Sequence, residues 1–163
     1  DVNCKLIRGN VDTRIKKLKE GKYDAIILSY AGIKYLGFEN EISEVFSADE
    51  IIPSAGQGII ALQCRENDQE MISLLKKINH TETYKRAHAE RNILKVLDGD
   101  CETAVGAYSI IDGNSITVEA ELFSLDGSQR FYEKKTLKID KFKEIGLEIG
   151  KILKTKSNNI YKK

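Results

Sequence analysis

Two Asp-Gly pairs, Asp112-Gly113 and Asp126-Gly127, constrain this chain more than any other feature. A glycine in such a pair supplies the positive φ that tight hairpin turns require. The pairs separate three runs rich in β-forming residues: Ala104 to Ile111, Ser115 to Ser124 and Arg130 to Leu137. That pattern predicts a three-stranded antiparallel meander. A meander of this size needs a partner to cover one face. The segment from 140 to 155 offers one, because Phe142, Ile145, Ile149, Ile152 and Leu153 recur at helical spacing. Thr83 to Leu97 predicts a second helix, with Ala87, Ile93, Leu94 and Leu97 pointing inward and Asp98-Gly-Asp100 stopping it.

Upstream the texture is α/β. Val11 to Gly21 reads as a short amphipathic helix, with Val11, Ile15 and Leu18 on one side, Asn10 as N-cap and Gly21 beyond its end. Tyr23 to Ser29 is a compact apolar run without alternation, as expected of a parallel strand covered on both faces. Residues 30 to 37 predict another short helix. Pro53-Ser-Ala-Gly-Gln-Gly58 holds the chain's one proline and two glycines and reads as a linker or hinge. Ile59 to Cys64 follows as a strand, and residues 68 to 78 as a helix with Met71, Leu74, Leu75 and Ile78 on one side. The expected fold class is α/β: a partial parallel or mixed sheet domain, then an α+β domain whose three-stranded antiparallel sheet packs on helices.

Charge narrows the choice of partners. Twenty-six Lys plus Arg against twenty-five Asp plus Glu leave +1 over 163 residues. No global field selects nucleic acid or an anionic membrane, so any anion site is local. The longest apolar stretches are strand-sized, far below the roughly 20 residues that cross a bilayer. The N-terminus lacks a basic segment followed by an apolar run and lacks an initiator Met, so no secretory signal and a fragment or processed chain are expected. Cys4, Cys64 and Cys101 stand at wide, unrelated spacings, which argues against a disulfide framework and a metal site. His80 and His88 lack partners at ligand spacing. A reducing cytoplasm is the expected compartment.

Two places could carry chemistry. Cys101 stands between a helix end and a strand, on a loop where a thiol could be held in fixed geometry. Taken alone, a single cysteine is more often a packing residue. Arg8-Gly-Asn-Val-Asp-Thr-Arg14 puts two guanidinium groups around a glycine turn and a helix N-terminus. Free N–H groups and forked donors at such a place suit carboxylates, although a solvated helix start with ordinary surface arginines has the same pattern. The pair Glu90-Arg91 reads as a local ion pair of small worth.

In order, these segments resemble the second half of the hydroxymethylbilane synthase (porphobilinogen deaminase) family. The resemblance rests on Arg8 to Arg14, Gly21 to Leu28, Ala31 to Gly37, Pro53 to Gly58, Cys64 to Asp68, Ala89-Glu-Arg91 and Leu97-Asp-Gly-Asp-Cys101. It covers nearly the whole chain. It implies that residues 1–52 are part of the family's domain 2, 53–58 an inter-domain hinge, 59–77 a segment of domain 1 and 81–163 domain 3. It further implies condensation of four porphobilinogen molecules with release of ammonia, on a dipyrromethane cofactor held as a thioether by Cys101. Arg8 and Arg14 would bind carboxylate arms of cofactor and growing pyrrole chain. The family's catalytic aspartate falls in the N-terminal half, so no catalytic residue is named here and the chain alone is expected to be inactive. Three positions depart from the family: Asp100 replaces a second glycine, Ala104 a proline, and Tyr35 a basic residue. A non-catalytic remnant or a small-anion binding module on the same scaffold are the alternatives.

Overall fold

A computed structural model describes residues 2–98 and 103–162. The chain forms two compact units, residues 1–46 and 47–163. The smaller contains helix α1 (Val11–Lys19), helix α2 (Tyr30–Tyr35) and a 3₁₀ turn, Glu39–Glu41. Ile15, the middle of the predicted apolar stripe, is its buried side chain among the described residues.

The larger unit begins with helix α3 (Gln69–Ile78), whose N-cap Asp68 accepts from the Met71 N–H at 3.0 Å. Helix α4 (Thr81–Leu97) follows, capped by the His80 side chain. Strands β1 (Val105–Asp112), β2 (Ser115–Phe123) and β3 (Arg130–Lys138) form an antiparallel sheet in the order β1-β2-β3. A 3₁₀ turn, Ile139–Lys141, leads into helix α5 (Phe142–Ser157). The meander on helices read from the sequence is therefore the fold of this unit.

Turn chemistry sets the register. Asp112 pairs with Ser115, leaving Gly113 (φ +55°) and Asn114 as a two-residue loop. Phe123 pairs with Arg130 across a longer loop, and there Asp126 does the organising. Its carboxylate accepts from the Ser124 hydroxyl at 2.5 Å and from the Ser128 N–H at 3.1 Å.

One sheet face is apolar. Ile116, Val118, Ala120 and Leu122 of β2 are fully buried with Ala107 of β1 against Ile93 and Leu97 of α4 and Ile145, Ile149 and Leu153 of α5. At the edge strand the contact becomes polar, with Lys135 pairing to Glu148 at 2.6 Å and Lys156 to Glu133 at 2.7 Å. The inward stripe of α4 runs Ala89, Ile93, Leu97; the expected Ala87 and Leu94 flank it, half-buried. Two glycines let α4 and α5 close up. A Cβ on Gly146 would fall inside contact distance of the Ala89 carbonyl oxygen, and one on Gly150 would come 2.8 Å from Val96 Cβ.

Tyr23 to Ser29 and Ile59 to Cys64, expected as strands, belong to no strand in the structure. A buried parallel strand places its N–H and C=O groups on neighbours, and the described residues supply none beside either run. Among the described residues the partial parallel or mixed sheet is thus not formed, and the three-stranded antiparallel sheet on helices is. The apolar residues stay outside instead: Ile27 is 73% exposed and Ile60 88%. The stripe of α3 is likewise open, with Leu74 and Ile78 exposed.

Two consequences are measurable. Gly146→Ala should destabilise the chain by about 1–3 kcal/mol, because forcing a methyl into the α4–α5 contact outweighs alanine's better helix propensity. Urea unfolding followed by circular dichroism reads the sign. Hydrogen bonds from the Ser124 hydroxyl, then from Ser128, hold the Asp126 carboxyl down at about 2, below its ordinary 3.8. A depressed folded-state pKa gives stability that is present above the ordinary value and lost as pH falls. The melting-temperature gap between Asp126→Asn and the parent chain should therefore shrink between about pH 4 and pH 2; an unchanged gap would refute the charge-assisted loop.

Candidate functional site

The 9–14 turn is built around Gly9, whose φ of +126° suits glycine and whose Cβ, if present, would come 2.9 Å from Thr13 Cγ2. The turn delivers the chain into α1 with Asn10 at the N-cap, as predicted, but without a side-chain cap hydrogen bond. The first-turn N–H groups are therefore left to other acceptors. The Arg14 side chain folds back, its Nε–H donating to the Gly9 carbonyl at 2.7 Å, and Lys17 Nζ donates to the Arg8 carbonyl at 2.7 Å. A guanidinium carries four further N–H donors.

Arg14 lines an open cleft of about 710 Å³ bounded by the 9–12 turn, Leu28 and Ser29, and Leu36 and Phe38. Asp12 lines the same cleft, and its negative charge opposes a second anion beside it. Arg8 is exposed and stands outside that lining. The two arginines thus share one turn, but only Arg14 lines the cleft.

Cys101 lies outside the described residues. What can be described is how its flanks are held. Asp98 closes α4 in the left-handed region, φ 51° and ψ 37°. The Tyr161 hydroxyl donates to the Leu97 carbonyl at 2.9 Å, and Lys154 Nζ donates to the Val96 carbonyl and to Asp98 Oδ2, both at 3.1 Å. The Lys154 hydrogen bond, then the charges of Lys154 and Lys162, hold the Asp98 carboxyl below the usual range. On the far side the Phe123 N–H donates to the Ala104 carbonyl at 3.0 Å. Both flanks are fixed to the same core.

Sequence reasoning missed Glu90. It does not pair with exposed Arg91; it is 4% exposed, and its two oxygens accept from the Gly56 N–H at 2.8 Å and the Ser109 hydroxyl at 2.6 Å. Adjacent helical residues point apart. Spacing held the signal, since position 90 is on the same helix face as 93 and 97.

Comparison with known proteins agrees in both parts of the chain. Residues 1–73 match the family model described as porphobilinogen deaminase, dipyromethane cofactor binding domain, and residues 84–155 match porphobilinogen deaminase, C-terminal domain. Porphobilinogen deaminase of Desulforamulus reducens is 38% identical over 153 residues, which is 94% of this chain and 50% of the relative. That of Exiguobacterium sibiricum is 44% identical over 138 residues, 83% of this chain and 45% of the relative. That of Coxiella burnetii is 46% identical over 126 residues, 76% of this chain and 41% of the relative. The chain belongs to the porphobilinogen deaminase family, and it spans about half the length of the curated relatives it matches. No helix among the described residues is long and apolar enough to cross a membrane.

Proposed function

We propose that this chain is the C-terminal, cofactor-carrying half of a cytoplasmic hydroxymethylbilane synthase, which condenses four porphobilinogen molecules head to tail with release of ammonia. The observation that carries the reading is that two models of one family match in order along a chain whose 9–14 turn presents Arg14 to an open cleft. The donor set fits the chemistry. Porphobilinogen and the pyrrole chain carry acetate and propionate arms, and a carboxylate in a cleft needs forked cationic donors or free backbone N–H groups. Arg14 and the uncapped start of α1 offer both, with Arg8 on the same turn.

Cys101 holds the dipyrromethane through a thioether in this reading. When bound, that group supplies a covalent primer with a free pyrrole position for chain growth. The protein's own part is to hold the two flanks of the attachment segment and neutralise the arms. Lys154 and Tyr161 at the end of α4, and the Ala104 hydrogen bond at the start of β1, do the first; Arg8 and Arg14 do the second.

The domain reading assigns residues 1–52 to domain 2, 53–58 to a hinge, 59–77 to domain 1 and 81–163 to domain 3. Exposed Ile60, Leu62 and Leu74 support the assignment of 59–77, because apolar side chains of this kind call for a partner surface. That surface belongs to the half of the relatives this chain does not span. The 163 residues alone are accordingly inactive, and turnover needs the N-terminal half in cis or in trans.

Intact mass of the denatured chain, with peptide mapping around Cys101, tests the attachment. After complementation with an N-terminal half, a dipyrrole-sized adduct on Cys101 and porphobilinogen consumption are expected together, with neither in the isolated chain. An unmodified thiol in a complemented sample would point to a non-catalytic remnant, and consumption by the isolated chain would overturn the need for a partner. In the complemented enzyme, Arg14→Leu should lower kcat/KM roughly 10- to 150-fold, the worth of about 1.5–3 kcal/mol for a hydrogen bond to a charged group. Steady-state kinetics with porphobilinogen measures it.

A further inference from the structure

The linker Pro53 to Gly58 looks hinge-like in sequence, yet most of it is fastened down. Ile52 is buried, and its carbonyl oxygen lies where a Cβ on Gly106 would come within 2.7 Å. Ser54 forms an antiparallel bridge with Gly106, and the Ala107 N–H donates to the Pro53 carbonyl at 2.9 Å. Residues 52–54 thus run beside β1 as a short added edge. Asp49 and Ile52 also line a hollow with Glu119 and Tyr132 of the sheet. At the other end of this stretch the Gly56 N–H reaches Glu90 of α4, whose second oxygen holds Ser109 of β1.

We propose that Glu90 is a clasp that makes residues 47–56 mechanically part of the sheet module, so that bending of the linker is confined to the step after Gln57. A single carboxylate joins linker, helix and strand, and opening it would strand a buried charged oxygen without a donor, which is costly. Beyond Gln57 the described linker residues make a local turn bond, the Ile59 N–H to the Gly56 carbonyl at 3.1 Å, rather than a bond to the sheet. Gly58 sits at φ +77° with open space where a Cβ would be, and Ile60 is 88% exposed. The segment therefore moves with α4 and with Asp98 at its end, whether or not Cys101 carries a cofactor.

Backbone hydrogen–deuterium exchange on the 163-residue chain tests the clasp, comparing the parent with Glu90→Ala and Glu90→Gln. The amides of Gly56 and Ala107 are the reporters, and those of the β2–β3 ladder the internal reference. In Glu90→Ala the reporters should exchange roughly tenfold faster or more while the ladder is unchanged. Glu90→Gln keeps one acceptor oxygen and should fall between the two. If Glu90→Ala does not fold, the Gln variant is read by the same criterion. Unchanged reporters overturn the proposal, and so does an equal loss of protection across the ladder, which would make Glu90 a general core residue rather than a clasp.

Discussion

The close approach of α4 and α5 is the contact on which the larger unit depends. Gly146 and Gly150 remove the side chains that would hold the helices apart, and the Asn92 side chain donates to the Lys143 carbonyl at 2.9 Å beside them. Once the axes are close, Ile93, Leu97, Ile149 and Leu153 form one layer beneath the sheet. Small residues on the strands, Ala107 and Ala120, let the sheet settle on that layer. The polar arrangements are geometric consequences. Glu90, on the helix face that carries Ile93 and Leu97, reaches Ser109 of β1, while Lys154, one turn beyond Gly150, reaches the end of α4.

Elements whose partners lie nearby in the chain were legible in the sequence. The hairpins of 105–138 follow from turn residues and alternation, and α4 and α5 from apolar spacing; all can be satisfied within the described residues. Tyr23 to Ser29 and Ile59 to Cys64 carry an equally clear strand signal and form no strand, because a parallel strand is defined by its neighbours and not by its composition. Within helices, the pattern located the stripes but not their centres. Spacing points Ala87 and Leu94 inward and passes over Ala89, and only the glycines of the opposing helix decide which face comes closest.

The site divides in the same way. The turn at Gly9 and the helix start at Asn10 are local, and they stand where the sequence put them. Arg14 lines the cleft and Arg8 does not, a distinction that depends on Leu28 and Phe38, well separated in sequence. Glu90 was misread because charge was paired with its nearest neighbour along the chain. Its partners are 34 residues upstream and 19 downstream, and no local rule reaches that far.

The buried Tyr161 bears on how the protein is made. Its hydroxyl closes the end of α4 from 64 residues downstream. On a ribosome, α4 and the meander emerge well before Tyr161 leaves the exit tunnel. The carbonyl of Leu97 must meanwhile rely on water or a chaperone surface. The end of α4 is therefore sealed only once the segment around Tyr161 has been made, 64 residues after Leu97 itself, so the hairpins of the meander can pair while that helix end still frays.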